Sequence, residues 1–311
     1  MKKAVITGAT GVVGRALTEL LVTSFSEVLV LARPGSPRNA YLTHLPHVRV
    51  VEAELSALPS LFCDTCAPNS TYDAFFHLAW AGTYGQARTD GTLQAQNLRY
   101  AKEAAALAAR LSCRVFVGVG SQAEYGHVPV GTPLGEMLEC HPANAYGRAK
   151  LQACEETRAL CRQSGVRHVW ARLFSVYGKG DRKETLVMQL LHALLKKSAL
   201  PLTAGEQRWD YLHAADAARA LLLLAECGRD GECYNVASGE TRSLRDYITR
   251  ARDVVAPDAA LAFGVRPYNE GQAMNLAADI SKLKADTGFA PEISFERGIA
   301  DLAAWLAEGA M

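Results

Sequence analysis

A chain of 311 residues with 33 basic and 32 acidic side chains carries a formal net charge of +1. That balance supplies no field for a polyanion, so nucleic acid is not an expected partner, and the length allows one large domain or two fused lobes with ample core. The run LLLLA at 221–225 is far too short to cross a membrane, and MKKAVITGAT has neither the apolar region nor the cleavage site of a signal peptide, so a cytoplasmic protein with no membrane partner is expected.

From the N-terminus, apolar β-branched runs alternate with helical patterns. Val5-Ile6 lies in the first run, and helical spacing follows from Val12 to Leu21. Further runs stand at Val28-Leu29-Val30-Leu31, Val48 to Val51, Phe75-Phe76-His77-Leu78, Val115-Phe116-Val117 and His168-Val169-Trp170-Ala171. Short apolar runs separated by helices predict parallel strands covered on both faces, a doubly wound α/β sheet. The helical segment 92–111, TLQAQNLRYAKEAAALAARL, is small or apolar over much of its circumference. It is expected to be buried on two sides, against the sheet and in a homodimer formed through it and the helix at 145–163.

After about residue 174 the rhythm changes. Helical segments near 184–197, 214–227, 243–254 and 295–307 surround a short strand at Cys233-Tyr234-Asn235-Val236. The expected division is residues 1–174, with 205–225 returning to them, and a smaller mixed α/β lobe at 175–311, packed on the first because no Pro/Gly linker separates them. Of eight cysteines, only Cys63-Asp64-Thr65-Cys66 forms a C-x-x-C. It has no second pair or histidine pair at zinc spacing, so no metal is expected and the thiols are expected to be reduced and mostly buried.

Thr7-Gly8-Ala9-Thr10-Gly11-Val12-Val13-Gly14 joins the first strand to the first helix. Gly8 permits a tight turn, Gly11 lets backbone approach a pyrophosphate, and Gly14 lets helix and strand close up. The helix N-terminus then presents free N–H groups and a partial positive charge to phosphate. This is a dinucleotide turn of the Rossmann type, and it makes residues 1–174 the expected cofactor domain. The second strand ends Leu31-Ala32-Arg33-Pro34. An acid there would bind a free ribose 2′-hydroxyl and repel a 2′-phosphate. It is missing and Arg33 stands nearby, with Arg15 and Arg38 adding charge, so NADP(H) is expected over NAD(H).

The fifth strand runs into Gly118-Val119-Gly120-Ser121-Gln122-Ala123-Glu124-Tyr125-Gly126, which places Ser121 at a strand's carboxyl end, where such sheets bind ligand. Tyr146 and Lys150 follow in NAYGRAK at 144–150, one helical turn apart on one face. TGATGVVG, HLAWAG at 77–82, GSQAEYG at 120–126, NAYGRAK, RLFSVYGKGD at 172–181, WDYLHAADAARA at 209–220, YNVASGE at 234–240 and ADISKLKADTGFAP at 278–291 occur in that order. Together they resemble the extended short-chain dehydrogenases/reductases that work on nucleotide sugars, over nearly the whole chain. The resemblance implies cofactor contacts at Thr10, Val12, Val13, Leu55, Leu78, Ala79, Trp80, Leu173, Ser175 and Val176, beside the glycines, Arg33, Tyr146 and Lys150. It also implies a structural asparagine at Asn97.

The chemistry follows from the residue types. Moving a hydride between a nicotinamide and a carbonyl carbon creates or consumes an alkoxide, so a proton must be given or taken there. Tyr146 suits that task if its pKa falls from about 10 toward neutrality. Lys150 supplies positive charge and can hold the nicotinamide ribose. Ser121 fixes the substrate oxygen. Within the resembling group, 4,6-dehydratases carry an Asp-Glu pair after the Ser/Thr, where this chain has Gln122 and Ala123, so elimination is disfavoured. The fucose-synthase type has a cysteine at the position of Ala123. A reductase of an NDP-linked 4-keto (6-deoxy) sugar and a 4-epimerase survive, with the reductase preferred on the cofactor argument. A non-catalytic NADP-binding sensor or scaffold is the alternative from another class, and a reductase of a small ketone or aldehyde also stays open. Gln122, Tyr177, Trp209 and Arg266 are the substrate candidates, Arg266 as a diphosphate clamp.

Overall fold

In the computed structural model the described residues are 2–61, 71–269 and 271–309; Cys63 and Cys66 lie outside them. Seven strands form one parallel sheet: β1 (Lys3–Thr7), β2 (Glu27–Ala32), β3 (Val48–Glu52), β4 (Ala74–His77), β5 (Val115–Ser121), β6 (Arg167–Leu173) and, from much later in the chain, β10 (Glu232–Val236). Their spatial order is β10-β6-β5-β4-β1-β2-β3. Every neighbour pair is parallel, and the sequence explains it. The run VLVLA at 28–32 in β2 and all seven residues of β5 are buried, as a sheet covered on both faces requires. The order reverses between β1 and β4, which opens a crevice at their carboxyl ends.

Helices cover both faces. α1 (Val12–Leu21) packs against α5 (Ala214–Cys227), and α2 (Gly91–Arg110) against α3 (Ala145–Ser164). The small residues of α2 have a local explanation: Ala101 joins Ala153 and Cys154 of α3 and Trp170 of β6 in one apolar cluster. The second side of α2 is thus met by α3, while Ala95, Gln96 and Arg99 stay exposed. Beneath these helices the rings of Phe116, His168 and Trp170 stack across β5 and β6, centroids 6.0 and 6.1 Å apart. Gly118 and Gly120 make room for this, because a Cβ on either would strike the Trp170 ring.

The remaining elements are β7 (Ser175–Tyr177) paired in parallel with β9 (Tyr211–His213), β8 (Arg208–Trp209) paired with β11 (Arg242–Ser243), and the helices α4 (Leu186–Leu195), α6 (Leu244–Val255), α7 (Ser281–Thr287) and α8 (Phe295–Ala307). α4, α6 and α8 share a separate apolar cluster with Tyr177 and Leu202. One assignment changes. Strand β10, read from sequence as part of the smaller lobe, pairs along its whole length with β6 and so supplies the edge strand of the main sheet. Two short pairings, β7 with β9 and β8 with β11, carried no sequence signal, because two or three residues are too few to show a period. Among the described residues no helix is long and apolar enough to cross a membrane.

Candidate active site

A cleft of about 1040 Å³ opens over the carboxyl ends of the sheet and runs from the glycine turn to Trp209 and Tyr211. At its floor Gly8 sits at φ +77°, a left-handed turn that only glycine adopts freely. α1 begins directly after Gly11 without a side-chain cap, so its first N–H groups face the cleft free. Gly14 does not line the cleft. A Cβ there would collide with the Gly8 carbonyl, so its part is the close approach of helix and turn. The donor set fits a dinucleotide: free N–H groups and a helix N-terminus for phosphates, with Arg33 and Arg38 at the far rim. Arg15 is directed elsewhere, paired with Glu19 at 3.0 Å and stacked 4.8 Å from the Tyr41 ring centre.

Ser121 is the last residue of β5 and begins a 3-10 turn, its Oγ accepting the Ala123 N–H at 3.2 Å. Asn144 caps α3 by accepting the Gly147 N–H at 2.9 Å, and the next turn of helix carries Tyr146 and Lys150. Gly147, which sequence reasoning passed over, brings the two elements together. A Cβ there would strike the Ala123 carbonyl, so only glycine lets α3 lie this close to the Ser121 turn. Ser121 and Tyr146 consequently line the same stretch of the cleft. Lys150 Nζ donates to the Val119 carbonyl at 2.6 Å and lies 3.7 Å from the Trp80 ring centre.

The electrostatics of this group are set by burial. Ser121, Tyr146 and Lys150 are 8%, 7% and 3% exposed, so charge on any of them is poorly solvated. Burial lowers the Lys150 ammonium to about 7, against the opposing pull of Glu124. Burial also raises the Tyr146 phenol, with the Ser121 hydroxyl and Arg88 opposing it. A lowered phenol was expected from the residue types; in the protein by itself the desolvation penalty wins, and the phenol is held in its proton-carrying form.

Glu124 points away from the cleft. Its carboxylate, fully buried, accepts from Ser121 N–H at 2.8 Å, Trp170 Nε1 at 3.1 Å and Arg172 Nε at 2.6 Å. It therefore anchors the Ser121 turn from below. Asn97 grips Ala81 with both ends of its amide, at 3.0 and 2.9 Å, which holds the segment after β4. Gln94 does the same for Gly82 and Ala87 and accepts from Trp80 Nε1 at 2.8 Å.

Of the other expected contacts, Thr10, Val12, Val13, Leu55, Leu78, Ala79, Trp80, Asn97, Leu173, Ser175 and Val176 all line the cleft. The substrate candidates divide. Tyr177 and Trp209 line it, but the Tyr177 hydroxyl donates to the Phe295 carbonyl at 3.2 Å and is unavailable to a ligand. Trp209 keeps a buried Nε1 without a partner. Gln122 and Arg266 are not among the residues that line the cleft, and Arg266 is exposed on a loop whose N–H at 266 donates to the Leu202 carbonyl. Asp181, Arg182, Tyr84 and Tyr211 line the cleft without having been singled out; they sit on loops or two- to three-residue strands whose positions no local pattern reveals. Asp181 is raised by burial to about 6.

A parallel sheet with a glycine turn at its first βα junction, and a Ser, Tyr and Lys meeting at the switch point, defines an NAD(P)-dependent enzyme of the extended short-chain dehydrogenase/reductase type. Residues 4–237 match the NAD dependent epimerase/dehydratase family, and the chain belongs to that family. It is 27% identical over 240 residues to the GDP-6-deoxy-D-mannose reductase of Pseudomonas aeruginosa, covering 73% of this chain and 78% of the relative. It is 25% identical over 328 residues to a probable dTDP-glucose 4,6-dehydratase of Sinorhizobium fredii, covering 97% and 92%. Among solved structures, a UDP-N-acetylglucosamine 4-epimerase from Methanobrevibacter ruminantium, in complex with UDP-N-acetylmuramic acid, superposes with a TM-score of 0.87 over 99% of both chains at 21% identity, a likeness of fold. Three reactions are represented among these proteins.

Proposed function

We propose that the protein is an NADPH-dependent reductase of a nucleotide-diphosphate-linked 4-keto (6-deoxy) sugar. The observation that carries this reading is Ser121, Tyr146 and Lys150 gathered on one cleft with no acid/base pair next to them: Gln122 is not among the lining residues, position 123 is alanine, and Glu124 is committed to Arg172. Elimination needs a carboxylate and an acid on the sugar, and this site offers neither among those residues. The similarity to a GDP-6-deoxy-D-mannose reductase supports the same reading.

When bound, reduced nicotinamide supplies the hydride. Ser121 holds the substrate's carbonyl oxygen and lowers the charge that develops on it. Tyr146 donates its proton to that oxygen, which balances the arriving hydride and leaves an alcohol. Lys150, near 7 in the protein alone, is available in its charged form to hold ribose hydroxyls and to stabilise the phenolate. Trp80, against both Lys150 and Tyr146, keeps water from the pair.

Mixing the purified protein with NADPH and a panel of NDP-4-keto-6-deoxysugars tests the assignment. Stoichiometric loss of NADPH absorbance with one sugar alcohol formed supports the reductase. Interconversion of two NDP-sugars without net oxidation would make it a 4-epimerase, and tight NADPH binding with no conversion would favour a sensor or scaffold. Cofactor choice has a separate test. Arg33 and Arg38 line the cleft with Ala32 in place of an acid, so NADPH is expected to bind more tightly than NADH at moderate salt. Arg33→Ala is expected to weaken NADPH by about tenfold and leave NADH unchanged, read by fluorescence titration. Equal affinities in the wild type would overturn the preference. The homodimer through α2 and α3 belongs to the same proposal and is checked by light scattering at micromolar concentration.

A further inference from the structure

Arg88 closes the single 3-10 turn Gly85–Arg88 that follows β4. Its guanidinium carbon stands 4.9 Å from the centre of the Tyr146 ring, nearer than the Lys150 ammonium at 5.9 Å. The Lys150 ammonium is meanwhile bound to the Val119 carbonyl and seated on Trp80. Arg88 has the opposite situation: its Nε is buried with no hydrogen-bond partner. The turn that carries it is not loose, because Gln94 Nε2 donates to Ala87 O at 2.8 Å and to Gly82 O at 3.0 Å. A guanidinium has thus been brought against the ring of the proton-transferring residue by a hydrogen-bonded loop, at the cost of leaving a donor unused.

We propose that Arg88 is a positioning residue for Tyr146: its guanidinium, held against the phenol ring, fixes the ring's orientation toward Ser121 and supports the phenolate left behind when the proton is given up. The physical basis is that a cation is drawn to a ring in proportion to the ring's negative charge, and a phenolate spreads its charge into the ring. The contact is therefore stronger after proton transfer than before it, and by linkage it must favour that transfer. The groups that face Tyr146 are the Ser121 hydroxyl and Glu124 from the turn after β5, Lys150 from α3, Arg182 from the loop after β7, and Arg88. Glu124 opposes the phenolate and is already neutralised by Arg172. Arg88 is the cation in contact with the ring that has no other polar contact at Nε.

This proposal rests on the reading of Tyr146 as proton donor, and its test needs no substrate. Difluorotyrosine is placed at position 146, where fluorine brings the phenol's titration into the range in which the protein stays folded, and its fluorine NMR shift is followed against pH. Arg88→Met keeps the stem against the ring and removes the charge; the titration midpoint is expected to rise by about one pH unit. Arg88→Lys is expected to recover at least half of that rise. Arg88→Gln repeats the measurement should methionine not fold, with circular dichroism of the same samples reporting the folded state. A midpoint in Arg88→Met or Arg88→Gln equal to that of the parent would overturn the proposal. If the midpoint moves while no NDP-sugar is reduced, Arg88 acts on Tyr146 as stated and the substrate reading alone fails. If the sugars are reduced and the midpoint does not move, the reverse holds.

Discussion

Tyr146→Phe is expected to lower kcat by about a thousandfold while NADPH binds within about a factor of two of the wild type. The reason lies in which atom is lost. Phenylalanine keeps the ring that packs edge-on against Trp80 at 6.3 Å and lies under Arg88 at 4.9 Å, so the cleft wall is unchanged. It removes the hydroxyl, which would carry the proton in the proposed reduction. Lys150, which would hold the nicotinamide ribose, keeps its contacts with Val119 and Trp80. Turnover should therefore fall with cofactor affinity intact, measured by steady-state kinetics and by NADPH fluorescence. A variant with a tenth or more of wild-type kcat would remove Tyr146 from the proton-transfer role. The raised phenol adds a direction to the pH profile. A group that donates a proton in the reduction works in its protonated form, and burial keeps Tyr146 in that form to higher pH. Reduction is then expected to hold through neutral pH and fall only on the alkaline side.

Arg172→Met carries the largest expected effect on stability, a loss of about 3–5 kcal/mol. Arg172 and Glu124 are 6% and 0% exposed and meet at 2.6 Å, so neither charge has solvent to fall back on. The pair also holds its surroundings. Arg172 Nη1 donates to the Tyr125 hydroxyl at 3.2 Å, and that hydroxyl reaches Asn235 on β10 at 2.8 Å. Taking away the guanidinium leaves a carboxylate stranded under the Ser121 turn. Removing both charges together, as Glu124→Leu with Arg172→Met, is expected to recover more than half of the loss, because no buried charge remains unpaired. Guanidinium denaturation midpoints with unchanged slope measure both. An Arg172→Met protein within about 1 kcal/mol of wild type would show that the pair is worth no more than a surface one.

The two expectations differ in how far a sequence can see them. Tyr146, Lys150 and Ser121 were legible because each sits at a place the chain marks locally: a helical turn separates the first two, and the third ends an apolar run. The glycine turn was legible for the same reason, since Gly8 and Gly14 each answer a steric demand within eight residues of one another. Glu124 was visible only as an acid one step off the dehydratase position. Its partner stands 48 residues later, and nothing local says that the two meet. Arg88 has the same history: its contact with Tyr146 joins a turn after β4 to a helix that starts at residue 145. Arg266 stands apart from the residues lining the cleft, and no local pattern shows how close the loop that carries it comes to that cleft.

Hydrophobic period and glycine spacing by themselves determined the strands of the sheet and the glycine turn at its first junction, because both are written in patterns between residues close in sequence. Only the tertiary structure decided that β10 closes the sheet, that Glu124 is consumed by Arg172, and that Arg88 rests on the phenol. These are long-range pairings, and their energies depend on burial and distance, which a linear pattern does not carry.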